Sequence, residues 1–369
     1  MRNTLICTVG TSLINNLKYA DDSVKQVFDT ENWQQMALLL LKQPNSARLC
    51  GAEINSITSI CKQKLLAERI RLIFLVSDTQ DGKKTGDLLK LYYNNASNPL
   101  RFEFVDVRVL SGLRDDNVKE FKQRGLKNLV REISTEVRKF SSEAIAINAT
   151  GGYKAQISFA GMIGQALGIP VYYLFEKFSE VIELPPQPVA LDLAFWLTNY
   201  SLFEELESGQ TLEKSQFEVY LDNEYLQPLI DEEMIDNVAY VSLSAMGVLF
   251  NERSRLQFAK QETAILSLIP KDETDPNRKP INIRDDHGQD ILLIFAKKIC
   301  RSAYVKKIIN SLPFNSAQPN SIRRTYPNGI VEFVLSWSDR GYGLCIQTTG
   351  RNLAETNTIA LHLEKEFAE

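Results

Sequence analysis

The sequence predicts an α/β protein: a parallel sheet in the first half, then a helical middle segment, then a small α+β segment at the end. Three observations carry this. Five short apolar runs in the first half alternate with stretches of helical periodicity, which is how strands covered on both faces read. Three of those runs finish in small polar residues, "TVGTS", "VSDT" and "NATGGYK". Two proline-containing breaks, "ELPPQPVALD" and "LIPKDETDPNRKPINIRDDHG", divide the chain.

The elements follow in order. "TLICTVG" is a short β-branched run stopped by Gly10. Helical spacing covers Trp33 to Leu41 and Ala52 to Ala67. "IRLIFLVSDT" is a near-continuous apolar strand, followed by the helix "TGDLLKLYYNN" and the strand "FEFVDVRVL". The amphipathic helix "LKNLVREISTEVRKFS" precedes the buried strand "EAIAINAT". "AQISFAGMIGQALG" is a helix closed by Gly168, and "IPVYYLFE" is the last strand of the set. From Leu193 to about Lys271 the chain reads as helical, with one short element at "AYVSLSAMGVLF". The final segment reads strand ("DILLIFA"), helix ("SAYVKKIINSL"), loop, strand ("GIVEFVLSWS"), turn ("DRG"), strand ("YGLCIQTT") and helix ("LAETNTIALHLEKEF"). Domains are therefore expected over 1–188, 189–280 and 281–369.

Composition narrows the classes. The chain has 369 residues and a net charge of −4, so the molecule as a whole does not attract nucleic acid. Residues 280–369 nevertheless carry 11 lysines and arginines against 9 acids, whereas 204–236 hold 11 acids and one base, Lys214. A polyanion is expected on the last segment. Two histidines and five scattered cysteines without a CxxC argue against a zinc site, so no metal is expected. "MRNTLICTVG" lacks the apolar core of a signal peptide, and no apolar run reaches membrane-spanning length. The expectation is a soluble cytoplasmic protein with reduced thiols. Trp33, Trp196, Trp337, Phe203 and Phe217 read as core.

Ligands of open α/β sheets gather at the carboxyl ends of the strands. Gly10, Thr11 and Ser12 follow the first strand, where a glycine lets backbone approach a ligand and exposed N–H groups with hydroxyls hold phosphate oxygens. Asn148, Thr150, Gly151 and Gly152 follow another strand, and Lys154 opens a helix, where its charge opposes the dipole unless an anion compensates it. Ser77, Asp78 and Thr79 complete the candidate binding set. Simple strand-to-helix turns would explain each motif alone. Neither G-x-G-x-x-G nor a P-loop is present.

Taken together, "TVGTSL", "NATGGYKA" and "GQALGIPVYYLFE…VIELPPQPVALD" resemble the CARF family, the Rossmann-like sensors of cyclic oligoadenylates in type III CRISPR systems. The resemblance covers about residues 1–190. It implies a homodimer with one cyclic ligand, cyclic tetra-adenylate, across its two-fold axis. In ring-nuclease members a serine and a lysine of these two motifs assist cleavage of the ring, and they match Ser12 and Lys154. The middle segment looks like the winged-helix linker of many such proteins, although its acidic run argues against DNA contact.

The C-terminal segment does not match two common effectors. A HEPN ribonuclease needs an arginine four to six residues before a histidine, whereas His287 follows Arg284 by three and His362 follows Arg351 by eleven. A PD-(D/E)xK nuclease needs an acid-x-lysine that "DILLIFAKKI" lacks. The pattern is closer to RelE-type toxins, metal-independent ribonucleases that cut mRNA on the ribosome. That resemblance makes Lys297, Lys298, Arg323, Arg324, Tyr326, Arg340, Tyr342 and Arg351 the catalytic candidates. The expected function is a ligand-activated ribonuclease that slowly cleaves its own activator. The alternatives are a ring nuclease with a structural C-terminal domain and a ligand-controlled DNA-binding regulator.

Overall fold

The computed structural model describes residues 2–186, 192–207, 212–216, 223–284, 288–313, 321–335 and 342–367. Its first sheet contains β1 (Thr4–Thr8), β2 (Arg71–Ser77), β3 (Phe104–Leu110), β4 (Ile145–Asn148), β5 (Val171–Tyr173) and β6 (Ile182–Leu184) in the order β3-β2-β1-β4-β5-β6. The first five are mutually parallel, and β6 returns antiparallel on the edge. The order reverses between β1 and β4, where Thr4 is paired with Ile145 and Cys7 with Asn148. Such a reversal is where open sheets of this kind gather ligands, at the strands' carboxyl ends.

Helices cover the sheet as its apolar strands require. They are α1 (Ser12–Lys18), α2 (Asp22–Asp29), α3 (Trp33–Leu41), α4 (Gly51–Lys62), α5 (Gln80–Asn94), α6 (Leu126–Phe140) and α7 (Lys154–Leu167). Leu5, Cys7, Phe74 and Val76 join Leu13, Ile54, Ile57 and Tyr93 in one core. Ile6 and Ile73 alternate to the other face, where α6 and α7 pack together. Every sheet element expected from the sequence is present. Helices α1 and α2 and strand β6 were not anticipated.

The chain divides into two compact units, Met1–Ala190 with Glu213–Arg253, and Leu191–Leu212 with Ser254–Glu369. The expected middle domain over 189–280 is thus shared between the two units. Its helices α8 (Leu193–Thr198) and α9 (Tyr200–Glu207) go with the second unit. Its β8 (Ile230–Ile235) and β9 (Val238–Leu243) go with the first, in a three-stranded sheet ordered β7-β9-β8 whose β7 is Leu212–Glu213. Asp231 on β8 meets Lys127 of α6 at 3.3 Å with both side chains buried, which ties this hairpin to the first unit. The turn residues Asp236 and Asn237 both have positive φ, 49° and 64°, the signature of a tight hairpin. A helical reading of this stretch is therefore corrected. The long helix α10 (Ala245–Leu266) follows.

In the second unit, α11 (Gln289–Ile299) precedes β10 (Val305–Pro313), β11 (Ile322–Thr325), β12 (Ile330–Leu335) and β13 (Tyr342–Thr348), and α12 (Leu353–Phe367) closes the chain. The strands form one antiparallel sheet, β10-β13-β12-β11. Asn357 of α12 donates to the Leu197 carbonyl at 2.6 Å, joining α8 to this body. Two expectations are reversed here: "DILLIFA" is helix, and "SAYVKKIINSL" is mostly strand. Leu292, Phe295, Ala296 and Ile299 are buried at helical spacing while Ile291 and Ile294 face solvent. Strand β10 carries register irregularities between Val305 and Lys307 and between Ile308 and Asn310, so Val305, Ile308 and Ser311 are buried at a spacing of three and imitate a helix.

Candidate ligand-binding site

Two glycine loops close on each other at the point where the strand order reverses. One follows β1 and holds Gly10, Thr11 and Ser12; the other follows β4 and holds Thr150, Gly151 and Gly152. Thr8 Oγ1 donates to the Gly151 carbonyl at 2.5 Å. A Cβ on Gly10 would lie 2.8 Å from the Gly152 nitrogen, and one on Gly151 would lie 3.0 Å from the Gly10 nitrogen. Gly152 has φ +112°, a conformation other residues rarely adopt.

Under this contact sits Glu53, the third residue of α4, with no exposed surface. Its Oε1 accepts the Gly10 N–H at 2.8 Å, while Oε2 is buried without a hydrogen-bond partner. Burial raises its pKa to about 7, and the Gly10 N–H only partly offsets that. A Cβ on Gly151 would meet Oε1 at 2.0 Å. No sequence expectation singled out Glu53. The signal was available: Glu53, Ile57 and Ile60 fall on one stripe of α4, so the acid occupies a core position.

The candidates read from the sequence divide by what their side chains already do. Ser12 Oγ accepts the Ala52 N–H at the start of α4 (3.3 Å), and the residue is half-buried. Lys154 is the first residue of α7, is exposed, and has no side-chain partner among the described residues. Thr11 is half-buried at the start of α1. Asn148 is buried: its amide donates to Ser56 Oγ (2.8 Å) and accepts from Thr150 Oγ1 (2.7 Å). Thr150 in turn accepts the Leu174 N–H at 3.0 Å. These two position the loop from below. Ser77, Asp78 and Thr79 serve α5: Thr79 accepts the Gly82 N–H, Ser77 bonds Thr79, and Asp78 pairs with Lys83 at 2.9 Å, whose ammonium holds the Asp78 carboxyl below its usual range. Their side chains act as a helix cap. Gln156 reaches back from α7 to the Tyr153 N–H at 3.3 Å. What stays available to a ligand is the hydroxyl hydrogens of Thr11 and Ser12, whose oxygens already accept from Asn15 Nδ2 (3.4 Å) and the Ala52 N–H (3.3 Å), with loop backbone and the Lys154 ammonium, a set suited to an anion.

In the second unit the basic candidates do not converge. Tyr326 OH donates to Glu332 Oε1 at 3.0 Å, and Arg323 reaches the same carboxylate at 3.7 Å. Arg324 is exposed on β11. Arg351 is clamped by Glu355, Nη2 to Oε1 at 2.6 Å. Tyr342 is buried at the end of β13 that pairs with Leu335, whereas Tyr326 precedes the Ile330 end of β12. Lys297 and Lys298 are exposed on α11. Arg340, Trp337, Phe217 and His287 lie outside the described residues. Trp196 and Phe203 are core, as read. His362, set aside on spacing, lines a cavity of about 540 Å³, and its Nδ1 donates to the Glu262 carboxylate at 2.9 Å.

Comparison with known proteins fits the first unit. Residues 48–187 match the family model described as "CRISPR-associated protein (Cas_APE2256)". Among solved structures, Can2 from Sulfobacillus thermosulfidooxidans in complex with cyclic tetra-adenylate aligns over 74% of this chain and 68% of its own, at 11% identity and a TM-score of 0.24. A likeness of that size carries no inference about the site. No described helix is long and apolar enough to cross a membrane.

Proposed function

We propose that the chain is an ancillary protein of a type III CRISPR system, whose first unit is a CARF domain binding a cyclic oligoadenylate as a homodimer. The observation that carries this reading is the pair of glycine loops at the switch point, with Lys154 beside them and without a side-chain partner among the described residues; the second loop and Lys154 fall within residues 48–187, which match a CRISPR-associated family model. Loop backbone and the α7 N-terminus would hold the phosphates. Lys154 would offset charge developing on a phosphodiester attacked by its own 2′-hydroxyl, with the Ser12 hydroxyl as donor to the same group. Cyclic tetra-adenylate is the ring we assign.

The second unit is, in this proposal, a ribonuclease that the ligand switches on, acting on mRNA at the ribosome through the basic residues of its sheet. Purified protein in a translating extract, with and without cyclic tetra-adenylate, tests both halves at once. Ligand-dependent cuts in translated message, lost in Arg323→Ala or Arg351→Ala, support it. Intact message beside linearised ligand favours a ring nuclease with a structural second unit. One observation favours that second reading: Arg351 and Tyr326 are already occupied by Glu355 and Glu332, and Tyr342 is in the core.

A further inference from the structure

A buried carboxylate with one oxygen unpartnered among the described residues is an unexpected support for an anion site. It also touches both loops. Glu53 Oε1 holds the Gly10 N–H at 2.8 Å and fills the space a Gly151 side chain would need. Its other oxygen is buried and unbonded. Ionised, it places a negative charge directly beneath the backbone that would hold a phosphate. Only backbone compensates it among the described residues, through the Gly10 N–H, its own N–H and the first turn of α4: the titratable group facing it from β1 is the Cys7 thiol, itself kept neutral by burial, and Ser56 of α4 and Asn148 of β4 are uncharged.

We propose that Glu53 is the positioning residue of the cradle and that an anionic ligand binds together with one proton, taken from solvent onto the unpartnered Glu53 Oε2. The proposal rests on the anion-binding reading of the two loops. The proton balance is simple: carboxylate plus one proton gives a neutral carboxyl in the complex, and release of the ligand returns the proton. Protonation removes the repulsion between Glu53 and the ligand, and Oε1 remains an acceptor for Gly10, so the loop keeps its shape.

The direction with pH follows. The free carboxyl titrates near 7, because burial raises it. A bound anion raises it further. Affinity is therefore constant below pH 7 and falls above it, by up to about tenfold per pH unit until the bound-state value is reached. Glu53→Gln is neutral at every pH and keeps an oxygen for Gly10.

The test uses full-length protein and cyclic tetra-adenylate. Titration calorimetry at pH 6, 7, 8 and 9, in buffers of different ionisation enthalpy, gives both Kd and the number of protons taken up. Wild type is expected to take up close to one proton per protomer at pH 8, between the free-state value and the raised bound-state value. Glu53→Gln should take up none there and bind at pH 9 at least about tenfold more tightly than wild type. Binding by wild type with no proton uptake and a flat Kd overturns the proposal and leaves the anion-site reading standing. Uptake that persists in Glu53→Gln also overturns it. Absence of ring binding at every pH overturns both. The wild-type measurement alone decides if the variant does not fold.

Discussion

Glu53→Gln also reports on folding, independently of any ligand. In the folded chain the carboxyl holds its proton to about pH 7, against 4.5 for the free side chain. That difference is worth about 3 kcal/mol, at ~1.4 kcal/mol per tenfold change in proton affinity. The sign is set by which state keeps the proton. Below pH 4.5 both states are protonated and Glu53 costs nothing. Between 4.5 and 7 the folded chain keeps a proton that the unfolded chain has released, so stability falls as pH rises. Above 7 the full cost of a buried, half-satisfied carboxylate remains. Glutamine has the same shape and no titration, and every other titrating group cancels when the two proteins are compared. Urea unfolding at pH 4, 5, 6, 7 and 8, followed by hydrogen exchange in peptides from β1 and β4, gives the stability of the first unit. The wild type should lose about 3 kcal/mol relative to Glu53→Gln across that range. Two curves that run parallel with pH would mean Glu53 is ionised without penalty, and the reasoning fails.

Other consequences can be measured on the same protein. Gly151→Ala puts a Cβ 2.0 Å from Glu53 Oε1, an overpacking worth about 1–3 kcal/mol in the urea midpoint; adding Glu53→Ala should recover part of it, the non-additive result of a direct contact. Lys154→Ala removes an exposed, unpaired ammonium, so stability should stay within about 0.5 kcal/mol while affinity for cyclic tetra-adenylate, read by calorimetry, drops about tenfold or more. Lys127→Met strands Asp231, buried at 7% side-chain exposure, and should cost about 3 kcal/mol in thermal or urea unfolding. That is the low end for a broken buried pair, because Lys122 stands 3.6 Å from the same carboxylate.

The centre of the first sheet was legible because β1, β2 and β4 are buried on both faces. β1, β2 and β4 read as apolar runs, and Gly168 ends α7 in the left-handed conformation the sequence implied. The second unit was not, for two opposite reasons. In α11 the exposed Ile291 and Ile294 fill the gaps between buried positions, so a helix reads as a continuous apolar strand. In β10 the irregular register spaces buried residues by three, so a strand reads as a helix. Both failures come from period, the quantity the reading depends on. At the site the positions of Gly10, Gly151 and Lys154 could be read, but not which groups were already engaged. Asn148 and Ser77 look the same as Ser12 in sequence; only contacts 92 and 2 residues away in the chain show them bonded to Ser56 and Thr79.

The glycines themselves change meaning once Glu53 is placed. From sequence, Gly10 and Gly151 suggest backbone laid bare for a ligand. In the structure the missing side chains of both would point inward, at Gly152 and at the Glu53 carboxylate. Their first requirement is therefore to let two loops and one buried acid share a small space, and this would hold in the absence of any ligand. What speaks for a ligand is what remains after that packing is satisfied: a lysine at a helix start and a buried carboxyl oxygen, neither with a partner among the described residues. The first needs a negative charge nearby and the second needs a proton. One anion arriving with one proton supplies both, which is why the uptake measurement separates a built anion site from a glycine-rich turn.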